Sequence, residues 1–363
     1  MTIYLDYQAT TPLAPEAFEA MVPLLRDQFA NPHSAHRLGR AAAAQVERAR
    51  GEIARLLPQG GRVLFTSGAT EALNIAIQGA PAGGIVTIAA EHAAVLDTVK
   101  AMASRNRGVT ILPVGSDGLV DMQAAAEAIR PGVALVAAML VNNEIGVIQP
   151  VDRLAQLARE AGALFLCDAV QGYGRVPVPA GCDMVAVSAH KIHGPKGVGG
   201  LWLRDGLDLA PLLHGGGQEA GLRSGTLSPA LCAGFGVAAR LMRERAEEDA
   251  AHVERLWMQA RTLFAEWTLN GSADMRYHGN LNLRHDGIDG ARLLSDCRSV
   301  AFSLGSACAS GSGRPSHVLR ALGLSDRQAR GSVRIGFGRY TTPAELEDAA
   351  RTINEAAAVQ AAP

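Results

Sequence analysis

The sequence predicts an α/β domain built on a mainly parallel sheet, followed by a smaller α+β region. Three observations carry this: apolar runs too short for helices, alanine-rich helical stretches between them, and a change of pattern in the last third of the chain. In order, RVLFTS (62–67), GIVTIAA (84–90), VTILPV (109–114), VALVAAMLV (133–141), ALFLCDA (163–169) and MVAVSA (184–189) read as strands. Their continuous apolar character is that of strands covered on both faces. EALNIAIQ (71–78), AAVLDTVKAMASR (93–105) and RLAQLAREAG (153–162) read as crossover helices. Another apolar run, VGGLWLRD (198–205), follows the sixth strand. Residues 240–267 form one long helical pattern, the expected connector. NLNLR (280–284) and SVRIGFG (332–338) supply mixed strands to the second region.

The chain has 363 residues, 48% hydrophobic and 19% charged, enough for one large and one small domain. Lys plus Arg number 34 and Asp plus Glu 35, a net charge of −1, so nothing in the balance points to nucleic acid or a membrane surface. No apolar run reaches the roughly 18 residues of a membrane span. The N-terminal MTIYLDYQATTP has no basic region followed by an apolar run, so no signal peptide is expected and a cytoplasmic location is. The five cysteines, Cys167, Cys182, Cys232, Cys297 and Cys308, are odd in number and scattered, with no CxxC. They predict reduced thiols rather than disulfides or a zinc site. The pairs His33/His36 and His190/His193 lack a cysteine or carboxylate set at ligand spacing, so no metal is expected.

Ligands in open α/β sheets sit outside the carboxyl ends of strands. The segments there are TSGATE (66–71), EHAAV (91–95), NNEIG (142–146), DAVQG (168–172) and SAHKIHG (188–194), and their convergence is the predicted site. SGAT opens a helix. Gly68 and Ala69 admit close approach to backbone N–H groups, Thr70 adds a hydroxyl, and the helix dipole favours an anion; a merely capped helix start has the same look. Neither SGAT nor GPKGVGG (194–200) has the Gly-Lys-Ser/Thr ending of a nucleotide loop. Asp168, ending a buried strand, needs a cation or donors: a pyridinium, an arginine or a helix end all serve. Lys191 either carries its head out to water or sits desolvated for Schiff-base chemistry. Together, an anion cradle, a strand-end aspartate and a strand-end lysine match the phosphate, ring nitrogen and aldehyde of pyridoxal phosphate.

Nine segments extend this match: YLDYQATTP (4–12), TSGATEALN (66–74), EHAAV (91–95), VNNEIG (141–146), DAVQ (168–171), SAHKIHGPKGVGGL (188–201), RSGT (223–226), GSACAS (305–310) and SVRIGFGRYTT (332–342). In this order the chain closely resembles the cysteine desulfurases of the NifS/IscS type, within the class V aminotransferase group of pyridoxal-phosphate enzymes. The resemblance implies fold type I, with a mainly parallel seven-stranded sheet in a large domain (13–246) and a small α+β domain made of 1–12 and 247–363. It implies that Lys191 binds the cofactor covalently and moves protons at the substrate carbon, and that Asp168 pairs with the pyridinium. His92 would lie on the ring and serve acid/base steps. Ala69, Thr70, Ser188 and His190 would hold the phosphate, with Thr226 arriving from the second subunit of a homodimer. Gln171 would bond the phenolic oxygen, Asn143 would sit by ring and substrate, and Arg334 would clamp the substrate carboxylate. Gln8 stands where many relatives have Asn, a change expected to matter little.

The cofactor does not fix the reaction, since transaminases, lyases and desulfurases share the framework. SLGSACASGSGRP (303–315) does: its small residues give backbone freedom around Cys308, as suits a thiol that collects sulfur and carries it away. Cys167 and Cys232 lie in apolar surroundings, and Cys182 and Cys297 in unremarkable ones. The implied reaction takes L-cysteine to L-alanine, with a persulfide on Cys308. The persulfide is destined for a protein acceptor such as an iron–sulfur scaffold, or for thiolation of tRNA or cofactors. A selenocysteine lyase, another C–S lyase or an aminotransferase on the same frame is the alternative. At an ordinary thiol pKa of about 8.5 only a few per cent of Cys308 would be ionised at pH 7, so a base or a lowered pKa is required. The sequence ends at AAAVQAAP, without the longer tail by which some desulfurases dock a scaffold protein, so the acceptor stays unnamed.

Overall fold

The computed structural model describes residues 2–304 and 315–362. Its strands are β1 (Ile3–Tyr4), β2 (Gly61–Thr66), β3 (Gly84–Ile88), β4 (Val109–Leu112), β5 (Val133–Met139), β6 (Leu164–Asp168), β7 (Met184–Ser188), β8 (Gly199–Arg204), β9 (Thr268–Leu269), β10 (Asn280–Arg284), β11 (Val300–Ala301) and β12 (Ser332–Gly336). Seven form one sheet in the order β2-β8-β7-β6-β5-β3-β4. The pairs from β7 through β4 are parallel. β8 is antiparallel to both β2 and β7, so β2 runs the same way as β7. All six strands expected from the apolar runs are present, and VGGLWLRD supplies the seventh.

Both faces of this sheet are covered, which is why its strands do not alternate with polar residues. Val63, Phe65, Val136, Phe165 and Val185 face one buried cluster. Their neighbours Leu64, Leu135, Leu166, Met184 and Ala186 face another, joined by Leu73, Ile77 and Val99 from the helices Ala69–Gly79 and Ala93–Ala103. The order reverses at β3, whose neighbours are β4 and β5. The loops after β3 and β5 therefore leave in opposite directions and open a crevice at the carboxyl edge.

Beside this lies a second layer. β12, β10 and β9 form a three-stranded antiparallel sheet, and β1 pairs in parallel with β11. The helices Ala246–Leu263 and Pro343–Ala361 cover it, burying Leu5, Leu256, Phe264, Leu283, Val333, Ile335 and Ile353 together. Val318, Leu319, Leu322 and Ala329 pack instead on the large core.

The single connector helix expected over 240–267 is two helices, Pro229–Glu244 and Ala246–Leu263. The break is at Arg245, whose backbone (φ −107°, ψ 12°) leaves the helical region. Glu247, Glu248 and Asp249 fall in the first turn of the second helix, where the helix dipole favours acidic side chains.

Candidate active site

The strand-end clusters meet in one cavity of about 490 Å³ at the carboxyl edge of the large sheet. Its walls include Ala69, Thr70, His92, Asn143, Asp168, Gln171, Ser188, His190, Lys191 and Arg334. Two expected residues are not among them. Thr226 is exposed and lies outside the cavity wall of this chain. Cys308 lies outside the described residues.

One end of the cavity is the start of the helix Ala69–Gly79, whose first-turn N–H groups have no partner within the helix. The turn before it is fixed: Thr66 Oγ1 donates to Gly68 O at 2.9 Å, and the Ser67 N–H donates to Glu71 at 2.6 Å. Glu71 also pairs with Arg223 at 2.7 Å, tying the RSGT segment to this turn. Burial opposes charge on Glu71, but the bonds from Arg223 and Ser67 hold its pKa below the ordinary value. β8 passes close beneath. A Cβ at Gly199 would stand 2.7 Å from Gly68 Cα, so only glycine fits. Ser188 ends β7 and is buried, while His190 Nδ1 lies 3.1 Å from Thr10 Oγ1. Burial, then the Lys191 and Lys196 charges, push the His190 pKa down to about 4, so its ring is neutral.

Asp168 ends β6, 6% exposed, and accepts from the Val170 N–H at 3.0 Å. Burial raises its pKa, countered by that bond and by His92 and Lys191. Glu91 is fully buried nearby and accepts from the Met139 N–H at 2.7 Å, in register opposite Asp168. Burial and then the Asp168 charge push its pKa well above the carboxylate range, so of the two carboxyls Asp168 carries the charge. His92 caps the helix Ala93–Ala103, its Nδ1 accepting from the Ala94 N–H at 3.1 Å. That bond places the proton of the neutral ring on Nε2. Burial lowers the His92 pKa; Asp168 opposes, and Lys191 and His317 add to the fall.

Lys191 ends the short turn Ala189–Lys191 after β7. Its Nζ donates to the carbonyls of Gln8 and Ala9, the latter at 2.8 Å. Burial, then the Arg334 and Arg175 charges, bring its pKa down to about 8. Two residues on, His193 has φ 68°, an uncommon angle for a residue with a side chain. Its N–H and imidazole are held by Thr11 Oγ1 at 2.7 Å and by Pro12 O at 3.0 Å. Gln171 is buried and donates its amide to the same Gln8 O at 2.9 Å.

Arg334, on β12, is 1% exposed. Its Nη1 donates to Asn143 O at 3.0 Å and its Nη2 pairs with Asp6 at 2.7 Å. Both flanks of the segment bearing Cys308 are tied here. Ser303 exchanges backbone bonds with Arg334 at 3.1 and 2.7 Å. The Ser316 hydroxyl donates to Glu144, and His317 Nε2 donates to Glu91 O at 2.8 Å. The roles of Asp6, Ala9, Glu91 and Arg175 were not foreseen. Asp6 and Ala9 lie in a matched segment, YLDYQATTP, whose chemistry the spacing of motifs did not reveal.

This donor set fits pyridoxal phosphate: a helix N-terminus for an anion, a desolvated carboxylate for a cationic nitrogen, and an amine of lowered pKa for an aldehyde. The comparisons agree. The family model described as aminotransferase class-V matches residues 3–348. A cysteine desulfurase IscS of Rickettsia bellii is 42% identical over 370 residues, covering 97% of this chain and 90% of that protein. A solved NifS-like protein superposes with a TM-score of 0.90 at 31% identity, covering 99% of this chain and 100% of that one. SspA, solved in complex with cysteine, gives 0.84 at 34% identity over 94% of this chain and 100% of its own. The chain thus belongs to the class-V aminotransferase family, in its branch of pyridoxal-phosphate-dependent cysteine desulfurases.

Proposed function

We propose that this cysteine desulfurase divides its work among the residues of the cavity as follows. Lys191 carries the cofactor, and its amine, freed when substrate binds, moves the proton at the substrate α-carbon. Asp168 pairs with the ring nitrogen, Gln171 with the phenolic oxygen, and His92 lies against the ring with its Nε2–H as donor. Ala69, Thr70, Ser188 and His190 hold the phosphate. Asn143 and Arg334 hold the substrate, Arg334 by its carboxylate. The bound cofactor supplies an electron sink for removal of the α-proton. Cys308, as thiolate, attacks the sulfur of L-cysteine: an S–S bond forms, the C–S bond breaks, and its electron pair stays with the carbon skeleton, which takes up a proton at Cβ and regains the one at Cα to become L-alanine. The observation that supports this most is the meeting, in one cavity, of a lysine whose pKa is about 8 with a buried aspartate and a helix N-terminus.

The same reading extends to partners. Thr226, exposed in the single chain and three residues from the Arg223 that pairs with Glu71, suits a group delivered to the phosphate of a second copy, so the working unit is a homodimer. The sulfur acceptor is a protein such as an iron–sulfur scaffold. The chain divides into a large domain over 13–246 and a small one made of 1–12 and 247–363. In support, Leu5 is buried with residues from Val253 to Ala357. Cys167 and Cys182, buried side by side and unpaired, suit the reducing cytoplasm. Among the described residues no helix is long and apolar enough to cross a membrane.

Borohydride reduction of the yellow holoenzyme, followed by digestion, tests the assignment. The cofactor is expected on the peptide holding Lys191, and Lys191→Ala is expected to carry no covalent cofactor. A label on Lys196, which also lines the cavity, overturns it.

A further inference from the structure

We propose that Asp6 is the positioning residue for Arg334, and that the N-terminal turn Asp6–Thr10 holds the two cations of the cavity in place. It holds Arg334 through the Asp6 carboxylate and Lys191 through the carbonyls of Gln8 and Ala9. This rests on the assignment of Arg334 to the substrate carboxylate.

The turn is stitched to the elements it serves. The Leu5 N–H donates to Ala301 O at 2.8 Å, and Gly336 donates back to Leu5 O at 2.8 Å. Asp6 itself bridges Gly336, two residues beyond Arg334 on β12. The turn closes on itself by the Ala9 N–H to Asp6 O at 2.9 Å. The Tyr4 hydroxyl clamps its two ends, Asp6 O at 3.1 Å and Thr10 O at 2.8 Å. Thr11 then binds His190 O through both its N–H and its hydroxyl, each at 2.9 Å. A carboxylate from one end of the chain is thereby fixed against an arginine near the other.

Arg334 needs this support. A buried guanidinium without a counter-charge is costly, and a long side chain without fixed partners loses its aim. Of its five N–H groups, one faces Asp6 and one faces Asn143 O, while Nε has no partner and is buried. Among the described residues the remaining Nη donors meet no partner, which suits a second carboxylate in a fixed orientation. The charged groups around Lys191 are Arg334 and Arg175, which disfavour its proton, and Asp6 and Asp168, which favour it; the Lys191 charge in turn disfavours a proton on His92. Loss of the Asp6 charge therefore acts on both cations: Arg334 loses orientation, and the Lys191 nitrogen loses an anion that holds its proton. The first effect falls on binding, before any bond changes.

The test uses holoenzyme with Asp6→Asn, which keeps size and an acceptor oxygen but removes the charge. KM and kcat for L-cysteine, the dissociation constant of L-alanine from the cofactor absorbance, and the pH midpoint of that absorbance without substrate are measured. KM and the L-alanine constant are expected to rise about tenfold, with kcat within about twofold, and the midpoint to move to lower pH. Asp6→Glu keeps the charge on a longer stem, so it is expected to keep the midpoint while raising KM. Arg334→Gln is the reference and is expected to raise KM more. If Arg334→Gln raises KM and Asp6→Asn changes neither KM nor the midpoint, the proposal is overturned. A fall in kcat alone for Asp6→Asn, or a lowered midpoint for Asp6→Glu, overturns it too. If Arg334→Gln leaves L-alanine binding unchanged, the carboxylate assignment fails, and the proposal with it.

Discussion

In the proposed mechanism Lys191 is the residue on which the chemistry turns, and its surroundings make its ammonium easier to deprotonate than an ordinary lysine's. Burial and two arginine charges bring its pKa from 10.5 down to about 8. The sign follows directly. Below that pH the nitrogen is protonated and cannot attack an aldehyde; above it the lone pair is free. Recombination of cofactor-free protein with pyridoxal phosphate, followed by absorbance, should therefore quicken as pH rises through about 8 and then level off. A lysine at its ordinary pKa would keep quickening beyond pH 10, and that profile would contradict the account of a desolvated amine. The lysine's strand-end position and its likeness to a cofactor anchor were legible in SAHKIHGPKG. Its hydrogen-bond partners were not, because the carbonyls of Gln8 and Ala9 are backbone groups and leave no mark in residue identity. The pairing of Asp6 with Arg334 was hidden for a related reason: a contact between opposite ends of the chain has no period to detect.

At the scale of elements, the strands of the large sheet were legible because both their faces are buried, and continuous apolar runs of that length have few other uses. The break at Arg245 was missed because helical periodicity resumes at once on its far side. The signal was Glu247-Glu248-Asp249, an acidic first turn read as mid-helix charge. The close pass of β8 beneath the phosphate turn gives a paired test. Gly199→Ala puts a Cβ 2.7 Å from Gly68 Cα and from Val187 O, both backbone atoms that cannot swing aside. It should cost about 1–3 kcal/mol in a denaturant melt and weaken cofactor retention, because the turn at Ser67–Thr70 must shift. Gly68→Ala meets nothing within 4 Å and should leave stability within about 0.5 kcal/mol of the parent. Equal losses in the two variants would show that the pass beneath the turn is not tight.

For the whole molecule, the cavity lies where the large sheet meets β12 and the N-terminal turn, so the site draws on both ends of its own chain; the proposed homodimer would add Thr226 of a second chain. If subunits share sites, mixing Lys191→Ala with Thr226→Ala should restore part of the activity. In the hybrid, one site has its own Lys191 and its neighbour's Thr226 intact. Mixtures no more active than the separate variants would contradict a shared site. The proposed role of Cys308 rests on the small residues around it and the resemblance they carry, since those residues lie outside the described part of the chain. The most direct measurement exposes holoenzyme briefly to a stoichiometric amount of L-cysteine, then determines L-alanine and the mass of the peptide holding Cys308, beside a Cys308→Ala variant. Wild type is expected to form L-alanine and gain one sulfur on that peptide, removable by dithiothreitol. The variant should stay yellow and bind L-cysteine while making L-alanine on the order of 10³-fold more slowly. An unmodified Cys308 peptide, or L-alanine formed by Cys308→Ala at near the wild-type rate, would contradict sulfur transfer through this thiol.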